Sequence, residues 1–405
     1  LVGDVGSGKT AVALAAAALV AAAGGPTLLL APTVVLAEQH ARTLRPIAAR
    51  LGFGVGLLTA ATTRVARAAL FADAAAGRVA LVIGTQAVLD RALAFADLRL
   101  VVVDEQHRFG VAQRARAARR EGEGASPHLL VMSATPIPRS LALARHGDLD
   151  ASILDERPAG RPPPATLVCH GADEARAARE RLRDVVARGE QAFVVCHARE
   201  RARRAGAVTA VARFAELRRA LAPARVGLLH GALPPAEKEG VLRSFAAGEL
   251  DALVATTVVE LGVDVPRATL MIVEDADRFG LAQLHQLRGR VGRGDVPGLC
   301  ILCASDDAAD DGARRLEALA STSDGFRLAE LDLAARGPGE LFGTRQAGAA
   351  GLDLAETFAL VAVARREAEA ILGRDARLER PEHEALARAV AARASAGVAF
   401  AEEAG

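Results

Sequence analysis

A glycine-rich octet at the start of the chain limits the possible folds more than any other feature. It reads Gly3-Asp4-Val5-Gly6-Ser7-Gly8-Lys9-Thr10, the spacing G-x-x-x-x-G-K-[ST]. Because glycine takes backbone angles closed to other residues, successive N–H groups of such a loop can point inward at a phosphate chain. The octet predicts a triphosphate site in which Lys9 reaches the β- and γ-phosphates and Thr10 offers an oxygen to Mg²⁺. The alternative is a glycine-rich turn that opens an alanine-rich helix.

Charge and aromatic content limit the partners that the chain could bind. At 405 residues it has room for two or three domains with buried cores. The net charge is only +1, so a polyanion would bind at a local basic patch rather than in an overall basic field. Because Trp and Tyr are absent, only the 12 Phe could stack on bases, which disfavours a stacking-based single-strand binder.

No segment of the sequence predicts a membrane location, and the cysteines do not predict a metal site. The apolar run from Ala11 to Ala23 is too short to span a bilayer, and no basic region precedes it as in a signal peptide. We therefore expect a cytosolic protein without a membrane partner. The 4 cysteines include one C-x-x-C without a second pair, so buried strand positions are the better interpretation of Cys169, Cys196, Cys300 and Cys303.

Strand-like and helix-like segments alternate along most of the chain, which predicts an α/β fold with parallel sheets. In the first part the strand-like runs are Leu28–Ala31, Val79–Gly84, Leu98–Val103 and His128–Met132. In the second part they are Ala192–Cys196, Val226–His230, Ala252–Ala255, Leu270–Glu274 and Leu299–Cys303. A proline-rich stretch that cannot be helix or central strand separates the two parts. We predict an α/β domain over 1–156, a linker over 157–164, a second α/β domain over 165–306 and a mostly helical unit over 307–405.

Two adjacent acids follow one of the strand-like runs. Val103 leads directly into Asp104 and Glu105, which places both carboxylates at the carboxyl end of a strand, where open α/β sheets bind ligands. Asp104 is suited to hold Mg²⁺, and Glu105 is suited to orient and deprotonate the water that attacks the γ-phosphate. The alternative is an ordinary acidic loop, which the phosphate site upstream disfavours.

A basic segment later in the chain could supply the positive charge that phosphoryl transfer requires. Residues 286–293 read QLRGRVGR. Negative charge that builds on the transferring group needs a cation placed opposite Mg²⁺. We assign Gln286, Arg290 and Arg293 to the catalytic set, and the spacing predicts the two arginines one helical turn apart on one face. The alternative is an exposed basic turn.

These motifs and several others resemble those of the superfamily 2 helicases. The matching strings are GDVGSGKT at 3–10, APT at 31–33, DEQHRFGV at 104–111, MSATPIPR at 132–139 and RFGLAQLHQLRGRVGR at 278–293. Within the superfamily, DEQHRFGV and ATTVVELGVDVP at 255–266 are most similar to the RecG family of bacterial translocases that remodel branched DNA. The resemblance implies two tandem RecA-like domains that bind ATP and Mg²⁺ between them and move along duplex DNA.

The resemblance also implies roles that the spacing of residues does not. Asp264 would approach the ribose, and the DNA phosphates would be contacted by Pro32, Thr33, Thr85 and Thr256. Ser133 and Thr135 would link hydrolysis to strand movement, with His107 in the coupling network. Arg336 and Gln346 fall in a region similar to the hairpin-and-loop element that converts nucleotide cycling into travel on duplex. Without the resemblance, these are ordinary loop or strand-end residues.

Partners and missing parts follow from the same resemblance. It implies branched double-stranded DNA as the substrate, a single-stranded DNA-binding protein as a further partner, and a monomer. Only Leu1 and Val2 precede the octet. We therefore expect the first sheet to lack most of its leading strand and the chain to lack the family's amino-terminal wedge domain.

Three kinds of function remain open at the level of sequence. The first is an ATP-dependent translocase or helicase, of the 3′–5′ DNA helicase type, that acts on branched DNA in recombination and repair. The second is a binding module for DNA or a protein partner without unwinding activity. The third is a translocase similar to the transcription-repair coupling factor, or an RNA helicase.

Overall fold

The computed structural model describes most of the chain, which divides into two compact units. The described residues are 1–85, 98–105, 127–134, 150–156, 162–197, 210–256, 264–336 and 354–392, and their side chains are described outside 333–336 and 354–362. The first unit comprises Leu1–Ile137 and Ser152–Ala334, and the second comprises Pro138–Ala151 and Ala335–Gly405.

The amino-terminal part of the first unit forms a five-stranded parallel sheet and a two-stranded parallel pair. Its strands are β1 (Val2–Gly3), β2 (Thr27–Leu30), β3 (Gly54–Leu58), β4 (Val79–Gly84), β5 (Leu100–Val103), β6 (His128–Val131) and β7 (Ile153–Leu154). Five of them are ordered β3-β4-β2-β5-β6, and β1 pairs with β7. Val2 also forms a parallel bridge with Ser133, just beyond β6. The central strands β2 and β5 are buried along their whole length, as expected for parallel strands covered on both faces.

Helices cover both faces of this sheet, and side chains alternate between them along each strand. The helices are α1 (Lys9–Ala22), α2 (Val34–Arg50) and α3 (Arg64–Ala75). α2 begins where the side chain of Thr33 accepts a hydrogen bond from the Leu36 N–H at 3.2 Å. α1 and α2 pack on one face with Leu29 and Val102, whereas α3 packs on the other through Leu70.

The rest of the first unit forms a second parallel sheet. Its strands are β8 (Ala165–Cys169), β9 (Gln191–Val195), β10 (Val226–Leu229), β11 (Ala252–Ala255), β12 (Ala268–Val273) and β13 (Leu299–Cys303), ordered β10-β11-β9-β12-β13-β8. Its helices are α4 (Gly171–Ala187), α5 (Ala210–Ala220), α6 (Pro235–Ala246), α7 (Leu281–Arg288), α8 (Asp310–Ser321) and α9 (Gly325–Arg336). α4 and α5 pack on one face of the sheet, and α6, α7, α8 and α9 contribute to the apolar cluster on the other.

These two sheets and the helices that follow them confirm the predicted fold class, while the domain boundaries at 156, 165 and 306 stay predictions. The strand β3 was not predicted, because Gly54 and Gly56 interrupt its apolar pattern. Gly56 lies close to α3, since a Cβ there would lie 2.2 Å from Cδ1 of Leu70. Three cysteines have the predicted burial, Cys300 and Cys303 in β13 and Cys196 directly after β9, whereas Cys169 is half-buried.

The second unit is helical in its described part. It contains α10 (Leu354–Arg374), where Arg365 donates a hydrogen bond to Asp150 Oδ1 at 3.1 Å. After α10, Nδ1 of His383 lies 2.8 Å from Oδ2 of Asp375. Among the residues that the structure describes, no helix combines the length and apolar character needed to cross a membrane.

Candidate active site

The glycine-rich octet forms the loop between β1 and α1, and its backbone requires glycine. Gly6 and Gly8 have φ angles of 80° and 96°, in the left-handed region that other residues rarely adopt. At Gly3 space is limiting, because a Cβ would lie 2.5 Å from Ser7 Oγ. α1 follows at once, and no described side chain caps its first turn. Its N–H groups and positive dipole therefore suit an anion.

Lys9 lies inside this loop among acidic groups. Its Nζ donates hydrogen bonds to the carbonyl oxygens of Gly3, at 2.9 Å, and Asp4, at 2.8 Å. Burial lowers the pKa of Lys9 from its ordinary value, while Glu105, Asp104 and Asp4 act in the opposite direction. The lysine of the octet and the two acids after β5 therefore share one neighbourhood, as the sequence predicted.

The two acids are held in fixed positions at the end of β5. Asp104 and Glu105 are only 8% and 9% exposed. Oδ1 of Asp104 accepts a hydrogen bond from the Glu105 N–H at 3.0 Å, and Glu105 has a φ of 52°, uncommon for a residue other than glycine. Such backbone conformations persist where the surroundings impose them, often at functional sites.

His40 is a residue of this site that the sequence analysis missed. Its Nε2 lies 2.9 Å from Oδ2 of Asp104, and both side chains are buried. Because 64 residues separate the two, no local spacing could join them. The available signal was on α2, where His40 interrupts an apolar face between Leu36 and Leu44, each four residues away.

Arg290 and Arg293 do not lie on one face of a helix, which corrects the sequence-based expectation. α7 ends at Arg288, and Gly292 has a φ of 70° that a helix cannot contain. The Gly292 N–H donates to the Ala268 carbonyl at 3.0 Å, which turns the chain back to β12. The two arginines therefore extend from a glycine-containing turn.

The two arginines differ in their surroundings. Arg290 is only 5% exposed. Arg293 donates from Nε to the Gly289 carbonyl at 2.9 Å and from Nη1 to Oδ1 of Asp264 at 3.4 Å. Its positive charge helps to lower the pKa of Lys9, after burial as the main cause. Arg293 thus lies near the phosphate loop from the side of the second sheet.

α7 packs directly against the octet. Nε2 of His285 lies 2.6 Å from Oδ1 of Asp4, and both residues are buried. Gly289 is so close to the loop that a Cβ there would lie 2.9 Å from Cβ of Val5. Sequence reasoning missed this contact, since only the fold brings residues 4 and 285 together.

A second bridge between the sheets is formed by α2. Oε1 of Gln39 accepts a hydrogen bond from the Asp264 N–H at 3.0 Å, and Glu38 pairs with Arg243 at 3.3 Å. Asp264, which the resemblance assigned to the ribose, is therefore held by α2 through its backbone and by Arg293 through its carboxylate.

A cavity of about 290 Å³ lies between the octet and the segment after α7. The residues that line it are Asp4, Val5, Gly6, Thr10, Pro162, Pro163, Pro164, Asp264, His285, Arg288, Gly289, Val291, Gly292 and Arg293. The structure thus brings together groups that the sequence analysis assigned separately to phosphate, ribose and charge neutralisation. Gln286 lies on α7 and is 5% exposed.

Those residues assigned to DNA contact and coupling that the structure describes lie at or near the ends of strands or helices. Thr33 caps α2, Thr85 follows β4, and Thr256 follows β11. Pro32 precedes that cap, and the Ser133 carbonyl accepts a hydrogen bond from the Gly3 N–H at 3.3 Å. Arg336 is the last residue of α9. Three predicted residues, His107, Thr135 and Gln346, lie outside the described part of the chain.

Family models match three consecutive parts of the chain. A DEAD/DEAH box helicase model matches residues 1–143, and a helicase conserved C-terminal domain model matches 177–295. A third model, described as ATP-dependent DNA helicase RecG, domain 3, C-terminal, matches 322–402.

Curated relatives and solved structures agree with these models. The chain is 46% identical to the ATP-dependent DNA helicase RecG of Escherichia coli K12 over 87% of its own length and 51% of the relative's. It is 44% identical to that of Mycobacterium tuberculosis H37Rv, over 93% and 53%. The chain therefore spans about half the length of the curated relatives it matches.

Among solved structures, RecG bound to a three-way DNA junction matches with a TM-score of 0.76 and 40% identity, over 90% of this chain and 47% of that one. A single-substitution variant of Saccharomyces cerevisiae Dbp5 bound to RNA and ADP BeF3 has a TM-score of 0.57 at 17% identity, over 82% of this chain and 88% of that one. At that identity the likeness to Dbp5 concerns the fold alone.

Proposed function

Since this chain belongs to the RecG family of helicases, we propose that it is the motor part of an ATP-dependent translocase that acts on branched DNA. Hydrolysis of ATP between the two sheets would drive movement along the duplex. The observation that carries the proposal is the cavity itself. One wall of the cavity is the phosphate loop, and the other carries Arg293, in the turn after α7.

The two sheets and the segments that follow their strands would contribute different parts of phosphoryl transfer. The octet would bind the phosphates through its N–H groups, with Lys9 at the β- and γ-phosphates. Glu105 would orient and deprotonate the attacking water, and Gln286 would contribute a polar contact from α7. Arg290 and Arg293 would neutralise the charge that develops on the transferring group, while Asp264 would approach the ribose.

The oxygen donors near Lys9 fit a magnesium ion. Thr10 offers a hydroxyl in the first turn of α1, and Asp104 offers a carboxylate held by His40. No group of three or more potential ligands from His, Cys, Asp and Glu occurs among the described residues. Magnesium keeps several waters and uses substrate phosphates beside one or two protein ligands. When bound, the ion would neutralise phosphate charge.

His40 is expected to position Asp104 for the metal. Replacing His40 with leucine removes the 2.9 Å contact and should raise the Mg²⁺ concentration for half-maximal hydrolysis by about 10- to 100-fold, as for other partners of metal ligands. Titration of ATP hydrolysis with Mg²⁺ measures the shift. His230→Leu is the control, because His230 directly follows β10 in the second sheet and does not line the cavity. An unchanged Mg²⁺ dependence in His40→Leu would show that the contact is only structural.

Gly289 is expected to set the distance between the cavity walls. In Gly289→Ala, the added methyl group would lie 2.9–3.1 Å from the side-chain atoms of Val5. It would push the turn that carries Arg290 and Arg293 away from the phosphate loop. A displacement of about 1 Å can cost roughly 10²-fold in rate. Adding Val5→Gly removes all three contacting atoms and should restore most of the hydrolysis, which a steady-state assay measures. Equal rates in Gly289→Ala and the unaltered chain would contradict this account.

DNA contact would use corresponding positions of the two sheets. Thr85 follows β4 and Thr256 follows β11, and each of these strands is second from one edge of its sheet. With Pro32 and Thr33 they would contact phosphates, which suits an engine that moves over any sequence. Coupling of hydrolysis to movement would involve Ser133, Thr135, His107, Arg336 and Gln346. Since the substrate would be DNA, the chain would act in the bacterial cytoplasm. It would be a monomer, and a single-stranded DNA-binding protein would be a further partner.

ATP turnover with different nucleic acids tests the proposed function. We expect the purified chain to hydrolyse ATP faster with forked DNA than with linear duplex or without nucleic acid. A chain that binds forked DNA without faster hydrolysis would be a binding module instead. Stronger stimulation by structured RNA would indicate an RNA helicase.

A further inference from the structure

A chain of hydrogen bonds leads from the phosphate loop to the end of α8. It begins at Oδ1 of Asp4, which lies 2.6 Å from Nε2 of His285. Nη2 of Arg288 lies 2.8 Å from the other ring nitrogen, Nδ1. Nη1 of Arg288 then donates to the carbonyl oxygens of Leu319, at 2.7 Å, and Thr322, at 2.9 Å. The three side chains are buried, with exposures of 7%, 2% and 3% along the chain.

The direction of these hydrogen bonds follows from chemistry. Arginine has donors and no acceptor, so Arg288 donates to Nδ1 of His285, which must therefore carry no proton. The ring proton is then on Nε2, from which it is donated to the Asp4 carboxylate. Only one arrangement of protons satisfies every contact. A change at the Asp4 carboxylate therefore affects the hydrogen bonds of both ring nitrogens of His285.

Asp4 is held from two sides. Its backbone carbonyl accepts hydrogen bonds from Lys9, at 2.8 Å, and from the Ser7 N–H, at 3.2 Å. Its side-chain Oδ1 accepts one from His285 and another from the Val5 N–H, at 2.7 Å. If Lys9 turns to the phosphates of a nucleotide, the carbonyl of Asp4 loses its shorter hydrogen bond and keeps the one from Ser7, which would let the loop at Asp4 readjust. His285 therefore contacts Asp4, the residue whose carbonyl oxygen binds Lys9.

α7 is also fixed to α9. Asp332 of α9 accepts a hydrogen bond from the Leu281 N–H, at the start of α7, with its Oδ1 at 3.3 Å. Leu328 of α9 is fully buried in the same apolar cluster as Leu284 and Leu287 of α7. Residues 319–332 thus hold α7 at both ends, and this segment includes the point where the match to the RecG domain 3 model begins, at 322.

We propose that His285 and Arg288 are positioning residues that transmit the state of the phosphate loop, through Asp4, to α8 and α9. The inference rests on the proposed function, since it needs a nucleotide that recruits Lys9. It assigns to His285 a role apart from the chemistry of hydrolysis. The path consists of buried groups in direct contact, and hydrogen-bonded chains of this kind can carry energetic coupling between sites.

Hydrogen exchange on nucleotide binding tests the proposal without relying on hydrolysis. The full chain is saturated with a nonhydrolysable ATP analogue, and amide exchange in residues 310–336 is compared with and without it. We expect the analogue to change exchange in the unaltered chain. In His285→Phe this change should fall by about fivefold or more, the lower range of typical coupling between sites. In His285→Gln, which keeps a donor toward Asp4, most of it should return.

The matched control is His383→Phe, which removes another histidine–aspartate contact, of 2.8 Å, in the second unit. It should leave the exchange change intact. If His285→Phe fails to fold, Arg288→Lys replaces it, because a single ammonium cannot reproduce the guanidinium's fork of donors.

Two results would overturn this relay, the proposed path from Asp4 through His285 and Arg288 to α8 and α9. One is an equal exchange change in His285→Phe and the unaltered chain, and the other is no change in the unaltered chain at saturation with the analogue. Failure of the unaltered chain to bind the analogue would instead overturn the proposed function, and the relay with it. Analogue affinity is therefore measured first for every variant.

Discussion

Lys9→Ala and Glu105→Gln are each expected to abolish DNA-stimulated ATP hydrolysis, with losses of about 10²-fold or more in rate. The two variants should fail for different reasons. Without Lys9 the phosphates lose their cation, whereas without the Glu105 carboxylate the attacking water loses its base. Measurements of nucleotide affinity and of turnover separate the two effects.

The loss in Lys9→Ala follows from where the ammonium lies. Its Nζ is within 3 Å of two carbonyl oxygens of the loop that would surround the phosphates, and Asp104, Glu105 and Asp4 offset the effect of burial on its pKa. Alanine would remove the ammonium charge that offsets these three carboxylates where the phosphates would bind. We therefore expect weaker nucleotide binding together with slower turnover.

The loss in Glu105→Gln should fall on turnover alone. Glutamine has nearly the same shape, so it preserves the buried position and leaves the loop with its lysine. An amide cannot take a proton from water, and a positioned general base contributes about 10²- to 10⁴-fold. We expect near-normal nucleotide affinity with hydrolysis reduced by that factor.

The chain itself offers a matched control for the lysine. Lys238 is the other of its 2 lysines, and its exposed side chain donates to the Gly231 carbonyl at 2.6 Å. Lys238→Ala should hydrolyse ATP at a rate close to that of the unaltered chain. If Lys9→Ala or Glu105→Gln hydrolysed ATP as well as Lys238→Ala, the proposed roles would be wrong.

Much of the fold could be predicted from the sequence because parallel strands are continuous apolar runs. The runs Val79–Gly84, Ala252–Ala255 and Leu299–Cys303 match strands residue for residue. β3 could not be recognised in this way. Gly56 makes room for Leu70 of α3 and Gly54 for the carbonyl of Arg78, and these close approaches appear only when the neighbouring elements are packed against the strand.

The site was predictable where its chemistry is local and not where it depends on tertiary contacts. The octet and the acids after β5 are contiguous strings whose spacing has a physical meaning. The contacts of His40 with Asp104 and of His285 with Asp4 join residues far apart in sequence. The sequence around a single histidine on a helix does not indicate which distant residue it contacts. The expected helical placement of Arg290 and Arg293 was wrong because Gly292 requires a left-handed turn.

Arg293→Ala is expected to lower kcat by about 10³- to 10⁵-fold, the usual effect of an arginine that neutralises a phosphoryl transition state. The affinity for nucleotide should change little, because this charge is needed mainly after the reaction has begun. Arg293→Lys should restore only part of the rate, since an ammonium lacks the planar fork of donors. Single-turnover hydrolysis and equilibrium binding give the two quantities separately.

Arg293 tests the idea more cleanly than Arg290. The side chain of Arg293 is 19% exposed, and its ion pair with Asp264 is 3.4 Å long, so alanine should cost less stability here than at Arg290. Arg290 is almost completely buried, and Arg290→Ala would confuse lost catalysis with unfolding unless thermal unfolding is measured as well. Arg176, an exposed residue of α4, provides a neutral control as Arg176→Ala.

The division of the loss between binding and rate decides what Arg293 does. A fall in kcat with unchanged affinity means that the guanidinium acts in the transition state, which requires the turn after α7 to close on the phosphates. A loss of affinity with unchanged kcat would mean that it binds ATP and its transition state equally. In that case the second sheet would hold the nucleotide without taking part in its hydrolysis, and the proposed coupling between hydrolysis and movement would fail at its first step.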